Sequence, residues 1–127
     1  MNKEELFKAI LDSSFEVHKV LGPGLLENTY KQCLAHELKE RGITVEIEKE
    51  LPVVYKGSKL DCGYRLDLLV ENEIIVELKA VEKLTDINMA QILTYLKLSN
   101  KQLGLLINFN NVYLKNGIKR VVNNYKT

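Results

Sequence analysis

Residues 65–81 read "RLDLLVENEIIVELKAV", two apolar runs on either side of a polar segment at residues 71–73. Runs of strand-forming residues that are joined by so short a polar segment predict a β-hairpin. With residues 71–73 as the loop of this hairpin, Asp67 faces Glu77 on the neighbouring strand. Charged residues therefore interrupt two strands that are otherwise apolar enough to be buried.

The side chains of this hairpin alternate between two faces of the predicted sheet. One face is wholly apolar, and the other carries all the charged residues of the two strands. A slip of the register by one residue would bury the charged face, so the apolar face favours this register. The apolar face comprises Leu66, Leu68, Val70, Ile74, Val76 and Leu78, and the charged face comprises Arg65, Asp67, Leu69, Ile75, Glu77 and Lys79.

Asp67 and Glu77 form a pair of like charges, which destabilises a sheet unless something compensates for it. One carboxyl could be protonated, Lys79 or Arg65 could form an ion pair, or a divalent cation could lie between the two acids. Mg²⁺ prefers one or two carboxylates together with water, and this pair supplies them. The plainer alternative is an exposed sheet face on which Glu77 pairs with Lys79 or Arg65.

A third carboxylate, Glu27, lies in the first turn of a stretch with helical spacing. It shares one helix face with Tyr30, Lys31 and Leu34. Because that face is partly apolar, we expect Glu27 to point inward, where it could join the other two acids. The alternative is that Glu27 only interacts favourably with the dipole at the helix N-terminus.

Hydrophobic periodicity predicts two helices in the first third of the chain. The first ends near "LGPG" at residues 21–24, and the second runs through "LLENTYKQCLAHELKERG" at residues 25–42. The period then changes to two in "ITVEIEKELPVVYKG", residues 43–57, which predicts a strand that ends in a turn at "YKGSK".

The second half of the chain predicts a third helix between strands. "TDINMAQILTYLKLSN", residues 85–100, has helical spacing with Thr85 or Asp86 as its cap. "LGLLINF", residues 103–109, is typical of a strand covered on both faces, and Asn116–Gly117 predicts a hairpin turn. The order is two helices, three strands, a helix and two or three further strands. It indicates an α/β (mixed α+β) fold with a central mixed sheet flanked by helices.

Composition limits the classes of function. With 127 residues, 46% of them hydrophobic and 28% charged, the chain fits a single domain over residues 1–127. A net charge of +1 gives no global attraction to nucleic acid or to a membrane, although residues 113–127 form a basic segment. Cys33 and Cys62 suggest a reducing compartment. We find no signal peptide or membrane span and expect a cytoplasmic protein.

The segment "GLLENTY", residues 24–30, resembles the signature of the GxxExxY protein family, a branch of the PD-(D/E)xK nuclease superfamily. Each short motif is weak evidence by itself, but several occur in order along the chain. The resemblance continues through "LPVVYKG", "GYRLDLLVE", "IIVELKAV", "YLKLSN", "GLLINFN" and "GIKRVV", and so covers nearly the whole sequence.

This resemblance implies a restriction-endonuclease-like core that contains a metal-dependent phosphodiesterase centre. Asp67 and the strand from Glu77 to Lys79 would form the centre, and Glu27 would be the helical carboxylate that completes it. Gln91 corresponds to the polar residue on the following helix, with Tyr95 one turn further along.

We therefore expect a divalent-metal-dependent nuclease that hydrolyses DNA or RNA. Mg²⁺ or Mn²⁺ would polarise the scissile phosphate and activate a water molecule. Lys79 could orient that water or stabilise charge in the transition state. The predicted metal ligands are Asp67, Glu77, Glu27 and a backbone carbonyl near Leu78; Lys79 and Gln91 join the acids as catalytic residues; Tyr30, Lys31, Arg65 and Tyr95 are predicted substrate contacts.

Two other functions remain open at this point. One is a catalytically inactive nuclease-fold module that binds nucleic acid or protein, and the other is a structural homodimer. An aromatic content of 7% weakens the case for a dedicated single-strand binder. His18 could contact the substrate, or it could be a histidine that serves only in helix packing.

Overall fold

The computed structural model describes residues 1–126, and its first two elements are the two predicted helices. The third predicted helix also forms, and the Thr85 side chain caps it by accepting a hydrogen bond from the backbone N–H of Asn88. None of the helices in residues 1–126 is long and apolar enough to cross a membrane. The helices are α1 (Lys3–Leu21), α2 (Glu27–Glu40) and α3 (Asp86–Ser99).

Residues 1–126 contain seven strands in two sheets, of which the larger has five strands in the order β1-β4-β5-β6-β7. Within it, β5 and β6 are parallel and all other neighbours are antiparallel, so the sheet is mixed as predicted. Helix α3 connects the two parallel strands, which a tight turn cannot join. The strands are β1 (Val45–Glu50), β2 (Val53–Tyr55), β3 (Ser58–Leu60), β4 (Arg65–Val70), β5 (Ile74–Lys79), β6 (Leu103–Asn108) and β7 (Ile118–Val122).

Helices cover both faces of the large sheet. The larger apolar cluster packs α1 and α2 against one face, and the smaller cluster packs α3 against the other. A Cβ atom at Gly104 of β6 would lie 3.0 Å from Cδ1 of Ile92, so the glycine lets α3 lie close to the sheet. The predicted α/β architecture, a central mixed sheet flanked by helices, is confirmed.

The prediction of one strand through residues 43–57 is wrong, because the chain leaves the large sheet after Glu50. Pro52 has no N–H group to donate to a strand ladder, and β1 ends two residues before it. Strands β2 and β3 then form a separate two-stranded hairpin. Lys56 and Gly57 adopt φ values of 47° and 81° in its turn, the left-handed conformation that two-residue hairpin turns favour.

The hairpin turn predicted at Asn116–Gly117 is also wrong. These residues lie in a short 3₁₀ helix (Leu114–Gly117), and β7 pairs with β6 instead of a strand immediately before the turn. A Cβ atom at Gly117 would lie 2.6 Å from Oδ1 of Asn111. The glycine therefore serves a close contact with a neighbouring loop, which the sequence pattern cannot distinguish from a turn.

The β4–β5 hairpin has the predicted register, but its ladder is shorter than expected. Val70 pairs with Ile74 and Leu68 with Val76, and no pairing continues to Asp67. The predicted alternation of faces fails at one position, since Leu66 packs in the α3-side cluster and not with Leu68. The regular pleat of β4 is thus broken at Asp67, between these two leucines.

Candidate active site

Strands β4 and β5 separate at Asp67 and Glu77, and their carboxyl groups replace the missing ladder bonds. The backbone N–H of Asp67 donates to Oε2 of Glu77 at 2.8 Å, and the backbone N–H of Leu78 donates to Oδ2 of Asp67 at 2.9 Å. Each acid therefore accepts a hydrogen bond from the strand that carries the other. The two predicted acids meet at this opening.

Glu77 is buried and Asp67 is half-buried, and this shapes the electrostatics of both carboxyl groups. Glu77 is 4% exposed, and burial, followed by the charge of Asp67, raises its pKa to about 8. Burial also raises the pKa of Asp67, although the hydrogen bond from Leu78 and the charge of Lys31 oppose the rise. Two ionised carboxylates at this place are costly unless a positive charge accompanies them.

Lys31 supplies part of that positive charge. It is only 7% exposed, and its Nζ lies 3.3 Å from Oε1 of Glu48 and 3.9 Å from Oδ1 of Asp67. The side chain predicted to contact substrate is thus directed at the acids. Glu48 is a neighbour of the site that was not predicted from the sequence. Its φ of 53° in the middle of β1 is a left-handed conformation that a glutamate does not lead one to expect.

Glu27, the first residue of α2, belongs to the same electrostatic cluster. Burial and the charge of Asp67 raise its pKa, while Lys79 and Lys31 lower it. Glu27 is half-buried, and the charges of Asp67, Lys79 and Lys31 all act on its carboxyl group. The N-cap residue of α2, Leu26, makes no side-chain hydrogen bond, so another interaction must hold the loop before the helix.

Tyr30 provides that support. Its hydroxyl donates to the carbonyl of Gly22 at 2.6 Å and accepts from the N–H of Leu25 at 3.0 Å, while its ring stacks on Phe109 at 4.7 Å. The side chain has no exposed surface, so it offers a substrate nothing to touch in this structure. The tyrosine of the Gly-x-x-Glu-x-x-Tyr motif therefore holds the loop that leads to Glu27.

Lys79 lies at the end of β5, beside α3. Its Nζ donates to Oε1 of Gln91 at 3.5 Å, so the two predicted catalytic residues are in contact. Burial, and next the charge of Glu77, raise the pKa of Tyr95 on the same helix. Arg65 lies at the rim, where it is exposed and pairs with Glu50 at 3.4 Å.

Asn108 is a second residue that the sequence reading missed. It is fully buried at the end of β6, where Oδ1 accepts from the N–H of Val81 at 3.0 Å and Nδ2 donates to the carbonyl of Val81 at 2.8 Å. The N–H of Phe109 also donates to the carbonyl of Lys79 at 2.9 Å. These bonds fix the position of the backbone that carries Lys79. In the sequence, the polar residues at the end of "GLLINFN" were the only indication of a buried asparagine here.

His18 has a structural partner. Its Nε2 lies 2.8 Å from the carbonyl oxygen of Asn111, and its ring centroid lies 6.4 Å from that of Phe109. Because a carbonyl can only accept, Nε2 carries the proton in this contact. The interaction joins α1 to the loop after β6, which favours the packing role over a contact with substrate.

The donor set suits a hard divalent cation only in part. Among residues 1–126, no three His, Cys, Asp or Glu side chains are arranged to hold one metal ion, so the three acids do not converge on one point. Oδ1 of Asp67 and Oε1 of Glu77 nevertheless accept no hydrogen bond from the described chain. Two carboxylates, a backbone carbonyl and water molecules are sufficient for Mg²⁺.

A mixed five-stranded sheet between helices, with two acids and a lysine where its strands separate, has the core of a restriction-endonuclease-like fold. A family model described as the PD-(D/E)XK nuclease superfamily matches residues 4–121, and the chain belongs to that superfamily. Comparisons with curated proteins and with solved structures gave no significant match. The assignment to the GxxExxY branch stays a prediction from "GLLENTY" and the segments that follow it.

Proposed function

We propose that this protein is a divalent-metal-dependent nuclease that hydrolyses phosphodiester bonds in DNA or RNA. The observation that carries the proposal is the pair of the half-buried Asp67 and the buried Glu77, each bonded to the strand of the other, with Lys79 two residues beyond Glu77 on the same strand. Membership of the PD-(D/E)XK nuclease superfamily supports the same reaction class. Buried acids with raised pKa values beside a lysine are typical of catalytic sites.

Asp67, Glu77 and the backbone carbonyl of Leu78 would hold Mg²⁺ or Mn²⁺, and Glu27 would complete the set only after its side chain turns toward the ion, since no three acids of residues 1–126 are arranged around one point. When bound, such an ion polarises the phosphate and lowers the pKa of a coordinated water. Among residues 1–126, no Lys, Arg or His forms an ion pair with Glu77, and its pKa of about 8 keeps a proton on the carboxyl group at neutral pH. A divalent cation bound by Glu77 would displace that proton and balance the charge of the carboxylate.

The remaining residues would bind and orient. Lys79 would position the attacking water or stabilise negative charge on the phosphate, and Gln91 would hold the Nζ of Lys79 through their hydrogen bond. Arg65 at the rim is placed to contact the phosphate backbone. Lys31 would lie beside Asp67 and steady its charge, in addition to any contact with the substrate.

The cellular setting is part of the same proposal. Cys33 and Cys62 are both free thiols, which agrees with a reducing compartment, and we assign the protein to the cytoplasm as a single nuclease domain. Nucleic acid is the partner that the proposed reaction requires. A homodimer is compatible with it but is not needed for the site, since all the residues named above belong to one chain.

The test is cleavage of labelled single- and double-stranded DNA and RNA in Mg²⁺, in Mn²⁺ and in EDTA. We expect cleavage only with a metal, and a loss of about 100-fold or more in Asp67→Ala and Lys79→Ala. Asp12→Ala and Lys8→Ala are matched controls, because those residues form an exposed ion pair on α1. Circular dichroism would verify that each variant is folded.

The alternatives give different results in the same experiment. An inactive binding module would retain affinity for nucleic acid in both site variants and show no turnover with any metal. A structural homodimer would show neither binding nor a change of melting temperature with Mg²⁺. Cleavage that persists in EDTA or in Lys79→Ala would refute the proposed nuclease site.

A further inference from the structure

An apolar groove with a volume of about 440 Å³ lies beside the candidate active site. Its walls come from α3, from the start of β2 and from the segment between β3 and β4. Its volume falls in the range of pockets that hold small organic groups, and like them it is mainly apolar with a few polar groups. The residues that matter for its chemistry are Val53, Tyr64, Ile87, Gln91, Tyr95 and Leu98.

The groove is continuous with the site. Gln91 lines the groove and also accepts the hydrogen bond from Nζ of Lys79. Tyr95 lines it too, and the charges of Glu77 and Asp67 act on its hydroxyl group. A molecule that occupies the groove would therefore lie next to the acids and to Lys79.

An exposed aromatic ring forms one wall. Tyr64 is 45% exposed, and its ring centroid lies 6.1 Å from that of Tyr95 with an interplanar angle of 61°. In this edge-to-face arrangement Tyr95, which is 8% exposed, supports the Tyr64 ring from the protein side. Ile87, which also lines the groove, is 73% exposed.

We propose that the groove holds an unpaired nucleobase of the strand that is cut, stacked on Tyr64. This inference rests on the proposed nuclease function and adds a substrate class, nucleic acid that is single-stranded at the site of cleavage. Base stacking on aromatic side chains tolerates any base sequence, because every base has a π face.

Charge favours this occupant over an apolar segment of another protein. A nucleotide is a neutral, flat base joined to an anionic phosphate, and the groove presents apolar and aromatic walls next to cationic side chains. Arg65 follows Tyr64 directly and donates from Nη1 to the Tyr64 carbonyl at 2.9 Å, while Lys79 lies behind Gln91. An apolar peptide or a second copy of the chain would fill the groove but would bring no anionic group to Arg65, whose exposed ion pair with Glu50 a phosphate could replace.

The experiment compares wild type, Tyr64→Ala and Tyr64→Phe on one oligonucleotide, offered single-stranded and as a duplex, by cleavage in Mg²⁺ and by fluorescence anisotropy in EDTA. Tyr64→Ala should weaken single-strand binding and raise KM roughly 5- to 100-fold, while Tyr64→Phe keeps the stacking ring and stays within about twofold of wild type. Phe15→Ala is the control, since Phe15 is 42% exposed on α1. It should change nothing.

An abasic site in the oligonucleotide tests the stacking directly. The abasic site is placed at each position of the strand in turn. If a base stacks on Tyr64, there should be one position at which wild type and Tyr64→Ala bind the oligonucleotide with equal affinity. Ile87→Glu is a second variant whose exposed position leaves the core intact, and its added negative charge should also weaken single-strand binding.

Each other outcome overturns the inference. If wild type cleaves with metal and Tyr64→Ala and Ile87→Glu match it on single strands, the nuclease function stands and the groove has another role. If wild type neither binds nor cleaves any nucleic acid, both proposals fail. If Tyr64→Ala changes the oligomeric state in sedimentation and leaves affinity unchanged, the groove is an interface between copies of the chain.

Discussion

Replacing Glu77 by glutamine should stabilise the metal-free protein at alkaline pH. The raised pKa of Glu77, about 8 against an ordinary 4.5, means that the folded state keeps a proton that the unfolded state has already released. The contribution of Glu77 to the free energy of unfolding is therefore fully present below pH 4.5. It is lost as the pH rises from 4.5 to about 8. Glutamine carries no charge at any pH, and its Oε1 can still accept from the N–H of Asp67.

The size of the effect follows from the two pKa values. Their separation, 8 − 4.5 = 3.5, corresponds to about 5 kcal/mol at about 1.4 kcal/mol per pKa unit. Because Asp67 and Glu77 titrate together, this free energy belongs to the pair, and Glu77→Gln should recover a large part of it. At pH 5 the two proteins should differ by less than about 1 kcal/mol, since little of the penalty is present there.

Urea unfolding in EDTA, followed by circular dichroism at pH 5, 6, 7 and 8, measures this difference. The free energy of unfolding of wild type should fall with pH, and that of Glu77→Gln should stay nearly level, with equal dependence on urea in both. Glu82→Gln, an exposed carboxylate just beyond β5, is the control and should follow wild type. The reasoning is refuted if Glu77→Gln is less stable than wild type at pH 8, or if both lose stability in parallel.

Three further results are expected. Mg²⁺ at about 100-fold excess over its Kd should stabilise wild type by about 2.7 kcal/mol, and a thermal melt should show no such gain in Asp67→Ala. Tyr30→Phe removes two hydrogen bonds of the loop before α2, so urea unfolding should show a loss of about 1–3 kcal/mol, and cleavage should slow as Glu27 loses its fixed position. Gly104→Val should cost about 1–3 kcal/mol by crowding Ile92; unchanged stability would contradict the packing of α3 described above.

Much of the fold could be predicted because hydrophobic periodicity follows burial. Helices α1, α2 and α3 each bury one face, and the residues of that face recur at helical spacing. The apolar face of the β4–β5 hairpin likewise fixed its register near the loop, where Val70 meets Ile74. These elements are determined by local patterns, which a single sequence contains.

The wrong prediction of a turn at Asn116–Gly117 arose because glycine serves two physical purposes. Glycine signals a turn when its φ is positive, as at Gly57, but Gly117 is needed because its neighbours leave no room for a Cβ atom. The strand prediction across Pro52 failed for a different reason, since alternation continues on both sides of a break.

The candidate site was predictable in its acids and not in its surroundings. Asp67 and Glu77 stood out because charges in apolar strands are unusual. The reversal of Glu48 to a positive φ and the burial of Lys31 depend on contacts between β1, β4 and α2, and no local pattern encodes them. The same holds for Asn108, whose partner Val81 lies 27 positions away in the sequence.

The buried Tyr30 hydroxyl bears on how the Gly-x-x-Glu-x-x-Tyr motif is used to recognise such proteins. Because the tyrosine ties together the chain from Gly22 to Leu25, a relative that had lost the acids of its strands would still be stabilised by this residue. The motif therefore indicates that the loop before α2 is held in this conformation. A survey that seeks active enzymes should instead ask whether the acids of β4 and β5 and the lysine after them have all been retained.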